Sequence, residues 1–321
     1  MKFAKPPLSV PDQVRKLKAR GLVIADDAFA ESCLHTIGYY RLSAYALPFQ
    51  QGALPDKPFI AGTTLASILD LYTFDRELRG LLSGALERIE IGFRSVLINH
   101  MCITHGSHWF MERSLFVPDS WRFNFDKLIR KIEEELDIPD GGSSPARPHA
   151  EVFINHYYTK YGDPYLPPAW MIGETLSLGT WSRIYSNLRN GSDRQIVASF
   201  FGFNEAIFIE WMHTLAHVRN LCAHHSRLWN RRLVIKARTP HKHRVRIPLA
   251  TSERVYDVAV VVFDLLRSVE PSTHWNKRLE ELIQRHPSAS ARIAGMGFPP
   301  LWRKDTFWDL RLHPDDPLCH I

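Results

Sequence analysis

Apolar residues recur at three- and four-residue steps through most of the chain, the period of an amphipathic α-helix. The longest such run extends from Thr63 to about His105. There Leu71, Phe74, Leu78, Leu81, Leu82, Leu86, Ile89, Phe93, Val96 and Leu97 mark one stripe. Two antiparallel helices and one kinked helix both fit it, because Gly80, Gly84 and Gly92 permit bends or close packing. Shorter helical patterns lie at 9–20, 28–35, 121–136, 151–160 and 276–285. MIGETLSLGTWSRIYSNL (171–188) reads as a further helix, 206–228 as another, and 251–270 as a strongly apolar one around VAVVVFDLL. Glycine and proline place loops at 51–62 and 139–150. Between 231 and 249, Val234, Ile235, Val245 and Ile247 flank TPHKHR, which fits a basic hairpin or an ordered loop. There is no internal repeat. The expected fold is all-α: a helical core over 63–270 with an exposed loop at 139–150, an N-terminal helical region (1–62) and a C-terminal basic extension (271–321).

Composition narrows the class. The 321 residues are 45% apolar and 23% charged, the profile of a globular protein large enough for a real core. No apolar run approaches the ~20 residues that span a bilayer, and MKFAKPPLSVPDQ has no signal-peptide core. The cysteines, Cys33, Cys102, Cys222 and Cys319, are far apart and fit no zinc or redox spacing. A reducing cytoplasm is therefore the expected location.

Charge changes the picture more. The net charge is +6, and its distribution is uneven. Residues 211–252 contain no Asp or Glu but hold Arg219, Arg227, Arg231, Arg232, Lys236, Arg238, Lys242, Arg244 and Arg246. Such a run is either a solvated basic tail on a structural helix or the footprint of a polyanionic partner.

The same region carries the candidate chemistry, in RNLCAHHSRLWNRR (219–232). On a helix, His213, His217, Asn220 and His224 form one polar stripe, which water, a metal, a polar ligand or a second copy of the stripe must satisfy. His213 and His217 have the i, i+4 spacing of a metal-ligand pair, but no carboxylate accompanies them, and interface histidines are the plainer reading. No metal or cofactor is expected. No Gly-x-Ser-x-Gly elbow exists, and Cys222 lies on an apolar face, so nucleophilic hydrolysis is set aside. Arginine with histidine suits metal-free RNA cleavage. A neutral imidazole takes the proton of a ribose 2′-hydroxyl, and a guanidinium offsets charge on the phosphate. Arg219 and His224 are the candidate pair, with Asn220 and His225 beside them.

These residues also carry a resemblance. Arg-Asn-x-x-x-His matches the Arg-x(4–6)-His signature of HEPN-domain ribonucleases. Around it stand IGYYRLSAY (37–45), FDRELRGLL (74–82), ERIEIGFRS (87–95), PPAWMIGETLSLGT (167–180), RNLCAHHSRLWNR (219–231) and GMGFPPLW (295–302). In that order they resemble the AbiF/AbiD-type group of abortive-infection, phage-resistance proteins (the Abi-2 family). The resemblance implies an all-α HEPN core, a ribonuclease toxin role in phage defence and, as in some relatives, a small structured RNA as partner or antitoxin.

Other residues have two readings each. Glu90 and Arg94 fit an i, i+4 ion pair. In the fold the resemblance implies, Glu90 lies beside the motif helix and supports Arg219 or His224. Arg94 and His100 repeat the Arg/His spacing, but they sit ~120° apart with buried residues between them. Tyr39, Tyr40 and Arg41 suit either stacking on unpaired bases or core packing. On a straight helix Arg219 and His224 are ~140° apart. A homodimer, with Arg219 of each chain near His224 of the other, resolves this and matches the composite sites the resemblance implies. Two functions stay open: a metal-independent endoribonuclease, or a non-catalytic RNA-binding module using the same basic surface.

Overall fold

The computed structural model describes residues 6–52, 57–233, 247–249 and 253–309. Among these residues it is all-α, with thirteen α-helices and no strand beyond three isolated bridges. In order they are α1 (Val10–Ala19), α2 (Asp27–Ile37), α3 (Tyr39–Ala46), α4 (Leu65–His105), α5 (Phe125–Glu135), α6 (Val152–Lys160) and α7 (Ala169–Ile172). Then follow α8 (Leu178–Ser186), α9 (Gly191–Phe200), α10 (Glu205–Ala223), α11 (Val255–Val269), α12 (Trp275–Arg285) and α13 (Pro287–Ser290).

The 63–105 pattern is one helix, α4. Its 41 residues extend about 60 Å at 1.5 Å per residue. The Thr64 hydroxyl caps it by accepting from the Ser67 amide, and Gly106 stops it in a left-handed conformation (φ 91°). Leu71, Phe74, Leu78, Leu82, Leu86, Ile89, Phe93, Leu97 and Met101 are all buried in an unbroken stripe. Burial along the whole length outweighs the ~1 kcal/mol that each internal glycine costs. Gly80 and Gly84 face open space. Gly92 is a true close approach, because a methyl there would collide with Val269 of α11.

The other helices are arranged around α4. It packs against α3, α9, α10, α11, α12 and α13. α11 is buried at every position from Val255 to Leu266, so it is a central helix despite its β-branched valines. The segment after α12 returns to that core. Trp308 stacks on Phe263 at 5.4 Å, and the Asn276 side-chain amide donates to the Trp308 carbonyl. One contiguous core therefore draws on residues from Val14 to Trp308.

Three elements differ from the sequence pattern. The 171–188 stretch is broken into α7 and α8, with Ser177 capping the second helix through the Thr180 amide. α9 occupies residues to which the pattern assigns nothing; Asn190 caps it, and it places the buried Asp193 in its first turn. α10 ends five residues before 228. The anticipated basic hairpin falls on 234–246, outside the described residues.

The core holds a buried ion pair, Asp75–Arg79, an i, i+4 pair on α4. Asp75 is wholly buried and accepts from four groups. Its Oδ2 takes the Tyr45 hydroxyl (2.6 Å) and the Arg79 guanidinium. Its Oδ1 takes the backbone amides of Leu228 (3.1 Å) and Trp229 (2.6 Å). Burial, and then the Asp75 charge, push the Tyr45 hydroxyl well above its usual pKa, so it stays a donor. Arg79 also donates to the Ser226 carbonyl (3.3 Å). Replacing Asp75 by Ala leaves a buried cation and two orphaned amides. The expected loss is about 3–5 kcal/mol in a denaturant titration; a loss below ~1 kcal/mol would show that the node is dispensable.

Candidate functional site

α10 begins with Asn204, whose side chain accepts from the Ile207 amide. It ends at Ala223 in a Schellman arrangement. The Ser226 amide donates to the Leu221 carbonyl (2.8 Å) and the His225 amide to the Cys222 carbonyl (3.0 Å). His225 stands at φ 53°, where glycine is the usual residue. No glycine in the sequence announces this stop. The interior fixes the chain just beyond the stop, because Asp75 takes the Leu228 and Trp229 amides and so keeps them out of any longer helix. Arg41 of α3 clamps the turn by donating to the His225 carbonyl (2.5 Å).

Four of the expected site residues gather at this helix end. Asn220, His224 and His225 are exposed, and Arg219 is partly exposed. The Arg219 Nε lies 3.9 Å from Glu90 Oε2 on α4, with the Glu90 side chain largely buried. Burial pushes the Glu90 carboxyl above its usual range, while the Arg219 and Arg94 charges and the Leu178 amide pull the other way. Arg94 makes its direct ion pair with Glu174 (2.8 Å) instead of Glu90. The second Arg/His match is divided between separate partners, since His100 contacts Asp193 (2.8 Å), which also meets His105 (3.1 Å). Burial alone would raise the Asp193 carboxyl, but the hydrogen bonds from both histidines outweigh it and hold the pKa low.

The polar stripe of α10 is also resolved. His213, His217 and Asn220 face a cleft of about 680 Å³ between α5, α8 and α10 of the same chain, and His224 lies outside it. Burial lowers the His217 pKa, as do the Arg231 and His213 charges, which favours its neutral form. The same cleft is lined by Lys127, Arg130 and Lys131 of α5 and Arg183 of α8. Sequence reasoning missed these four. For three of them the signal was present in FDKLIRKIEEE, where Phe125, Leu128 and Ile132 are buried and Lys127, Arg130 and Lys131 between them are not; Arg183 stands on α8.

The expected RNA-contacting residues are spread more widely. Arg227 donates to the Ala44 carbonyl (3.3 Å), Arg231 to the Arg227 carbonyl (3.4 Å), and Arg232 pairs with Glu253 (2.6 Å). Tyr39 is partly buried against the core, whereas Tyr40 is 92% exposed. Lys236, Arg238, Lys242, Arg244 and Arg246 lie outside the described residues. Cys222 is buried, which pushes its thiol up to about 11. Among the described residues no group of three or more His, Cys, Asp or Glu is placed to hold a metal ion. No helix among them is long and apolar enough to cross a membrane.

The left-handed turn yields a stability prediction. A non-glycine residue there costs ~1–2 kcal/mol, and glycine returns about 0.5–1 kcal/mol as backbone entropy. His225→Gly keeps the carbonyl that Arg41 binds, so a gain of roughly 0.5 kcal/mol is expected in thermal or urea unfolding. A loss above ~1 kcal/mol would mean that the His225 side chain itself holds the fold together.

Comparison with curated proteins and with solved structures returned no match. A family model described as Abi-like protein matches residues 32–230, a span that includes Tyr45, Asp75, Glu90 and the whole Arg219–His225 stretch. The chain belongs to the Abi-like protein family, which supports a role in abortive infection, that is, in phage resistance.

Proposed function

We propose that the protein is a metal-independent endoribonuclease of HEPN type, acting as the effector of abortive infection. One observation carries this reading. Arg219 and His224 are left accessible at a helix end that Asp75, Arg79 and Arg41 otherwise pin in place. In the proposed reaction the His224 imidazole acts as the base and takes the proton of a ribose 2′-hydroxyl. The 2′-oxygen bonds to phosphorus as the bond to the 5′-oxygen breaks, and that oxygen takes up a proton from solvent. Arg219, restrained by Glu90, offsets the negative charge that grows on the phosphate oxygens. Asn220 donates alongside, and the products are a 2′,3′-cyclic phosphate and a 5′-hydroxyl. The acid-free basic run supports an RNA partner, and a small structured RNA held there at rest fits a toxin under control.

His224→Ala is expected to lower RNA cleavage by 10²–10⁴-fold, roughly the worth of a general base, with the helical circular dichroism unchanged. The parent enzyme is expected to cut in EDTA and to leave cyclic phosphate ends. Cleavage by His224→Ala at the parental rate would instead favour the RNA-binding module. Strict dependence on a divalent metal, with 3′-hydroxyl products, would overturn the mechanism.

The active form is proposed to be a homodimer. His213 and His217 face the chain's own cleft, so this proposal rests on Arg219 within α10 and His224 at its C-cap, positions ~140° apart on an ideal helix. Arg219→Ala and His224→Ala proteins, each inactive, should recover activity when mixed, because one half-site of the heterodimer keeps both residues. No recovery, with a monomeric mass for the active parent, would make the site a single-chain one.

A further inference from the structure

The cleft between α5, α8 and α10 is distinct from the Arg219/His224 pair and from the basic run after it. Its volume lies within the usual ~300–1,000 Å³ of a ligand site. Four cations and one carboxylate, Glu134, line it. Lys131 is already paired with Glu135 (3.0 Å) and Glu134 (3.5 Å). Lys127, Arg130 and Arg183 are exposed and make no ion pair among the described residues. Three unspent cations line the same cleft as His213, His217 and Asn220, side chains that donate and accept hydrogen bonds without adding negative charge.

A second observation lies in the residues that immediately precede the cleft lining in the chain. Trp121 is 88% exposed, and the Arg122 guanidinium lies 4.5 Å from its ring centroid. The next two residues, Phe123 and Asn124, line the cleft. A tryptophan left this open costs apolar exposure without any packing in return. With a guanidinium already on the ring, it forms a platform on which a flat base can stack.

We infer that this cleft binds single-stranded RNA, with phosphates on Lys127, Arg130 and Arg183, an unpaired base on Trp121, and base or ribose groups at His213, His217 and Asn220. Both observations are needed. The cations alone would accept any polyanion, but an acidic peptide offers no flat face to Trp121, and a duplex keeps its bases stacked inside. Asn220 belongs both to the cleft and to the motif, next to Arg219. Under the ribonuclease reading, on which this last point rests, a strand lying in the cleft is delivered to the Arg219/His224 pair.

The test measures binding without cleavage. A fluorescein-labelled, 2′-O-methylated oligouridylate of about twelve nucleotides, within the site sizes of known single-strand binders, lacks the 2′-hydroxyl that cleavage would need. Its anisotropy is followed with the full chain across a salt series. The triple variant Lys127→Ala/Arg130→Ala/Arg183→Ala is expected to bind at least tenfold more weakly and to lower the log–log salt slope by roughly 2, at about 0.7 per phosphate contact on single strands. Trp121→Ala is expected to weaken binding by roughly 5- to 150-fold, the worth of one stacked base, with the slope unchanged. All four positions are exposed, so both variants should keep the parental unfolding midpoint. Parental affinity in both variants would overturn the inference and place RNA elsewhere. Displacement by oligoglutamate as strong as by RNA, with no effect of Trp121→Ala, would overturn it in favour of an acidic peptide. If the cleft variants lose binding while His224→Ala still cuts RNA, the ribonuclease mechanism fails and the binding site stands.

Discussion

Asp75 is the group on which the site depends. A carboxylate with no solvent contact must find every partner inside the protein, or the cost of burying its charge goes unmet. It finds them on three separate stretches of chain: Tyr45 on α3, Arg79 on its own helix, and the Leu228 and Trp229 amides beyond α10. Because the two amides are committed to Asp75, α10 must end before them. The end of α10 is where Arg219, Asn220, His224 and His225 are displayed. A buried electrostatic requirement thus sets the position of surface chemistry, and the edge-to-face contact of Phe74 with Trp229 holds the same junction by packing.

The 41-residue α4 extends the logic across the molecule. It carries Asp75 and Arg79 towards one end and Glu90 and Arg94 farther along, and it forms the floor for helices from both ends of the chain. Glu90 beside Arg219 and Asp75 beside Trp229 are therefore two contacts between the same pair of regions, spaced along one rigid rod. A rod of this kind holds a long arginine side chain in place without closing it off from solvent. Residues that match the Arg/His spacing on α4 itself, Arg94 and His100, are drawn into structural pairs with Glu174 and Asp193. Motif spacing alone does not separate the two cases. What separates them is which carboxylates the fold brings within reach.

Sequence by itself determined the class and most elements. Helical periodicity is local, so the helices at 10–19, 27–37, 152–160 and 275–285 could be read to within a few residues, as could the stripe on α4 and the buried α11. The acid-free run and the Arg219–His225 cluster were equally legible, because both are properties of residue order. Only tertiary structure decided the rest. α10 stops at Ala223 with a histidine in a glycine's conformation, and the chain beyond it is held away from helix by Asp75, about 150 residues earlier, which takes the Leu228 and Trp229 amides. Gly92 is the one glycine of the three on α4 that meets a neighbour, a fact set by where Val269 lands. The stripe of His213, His217 and Asn220 faces a cleft whose cations come from α5 and α8. No pattern within α10 can encode that cleft, because burial, ion pairing and clefts are set by distances between segments far apart in sequence, and these exist only once the chain has packed.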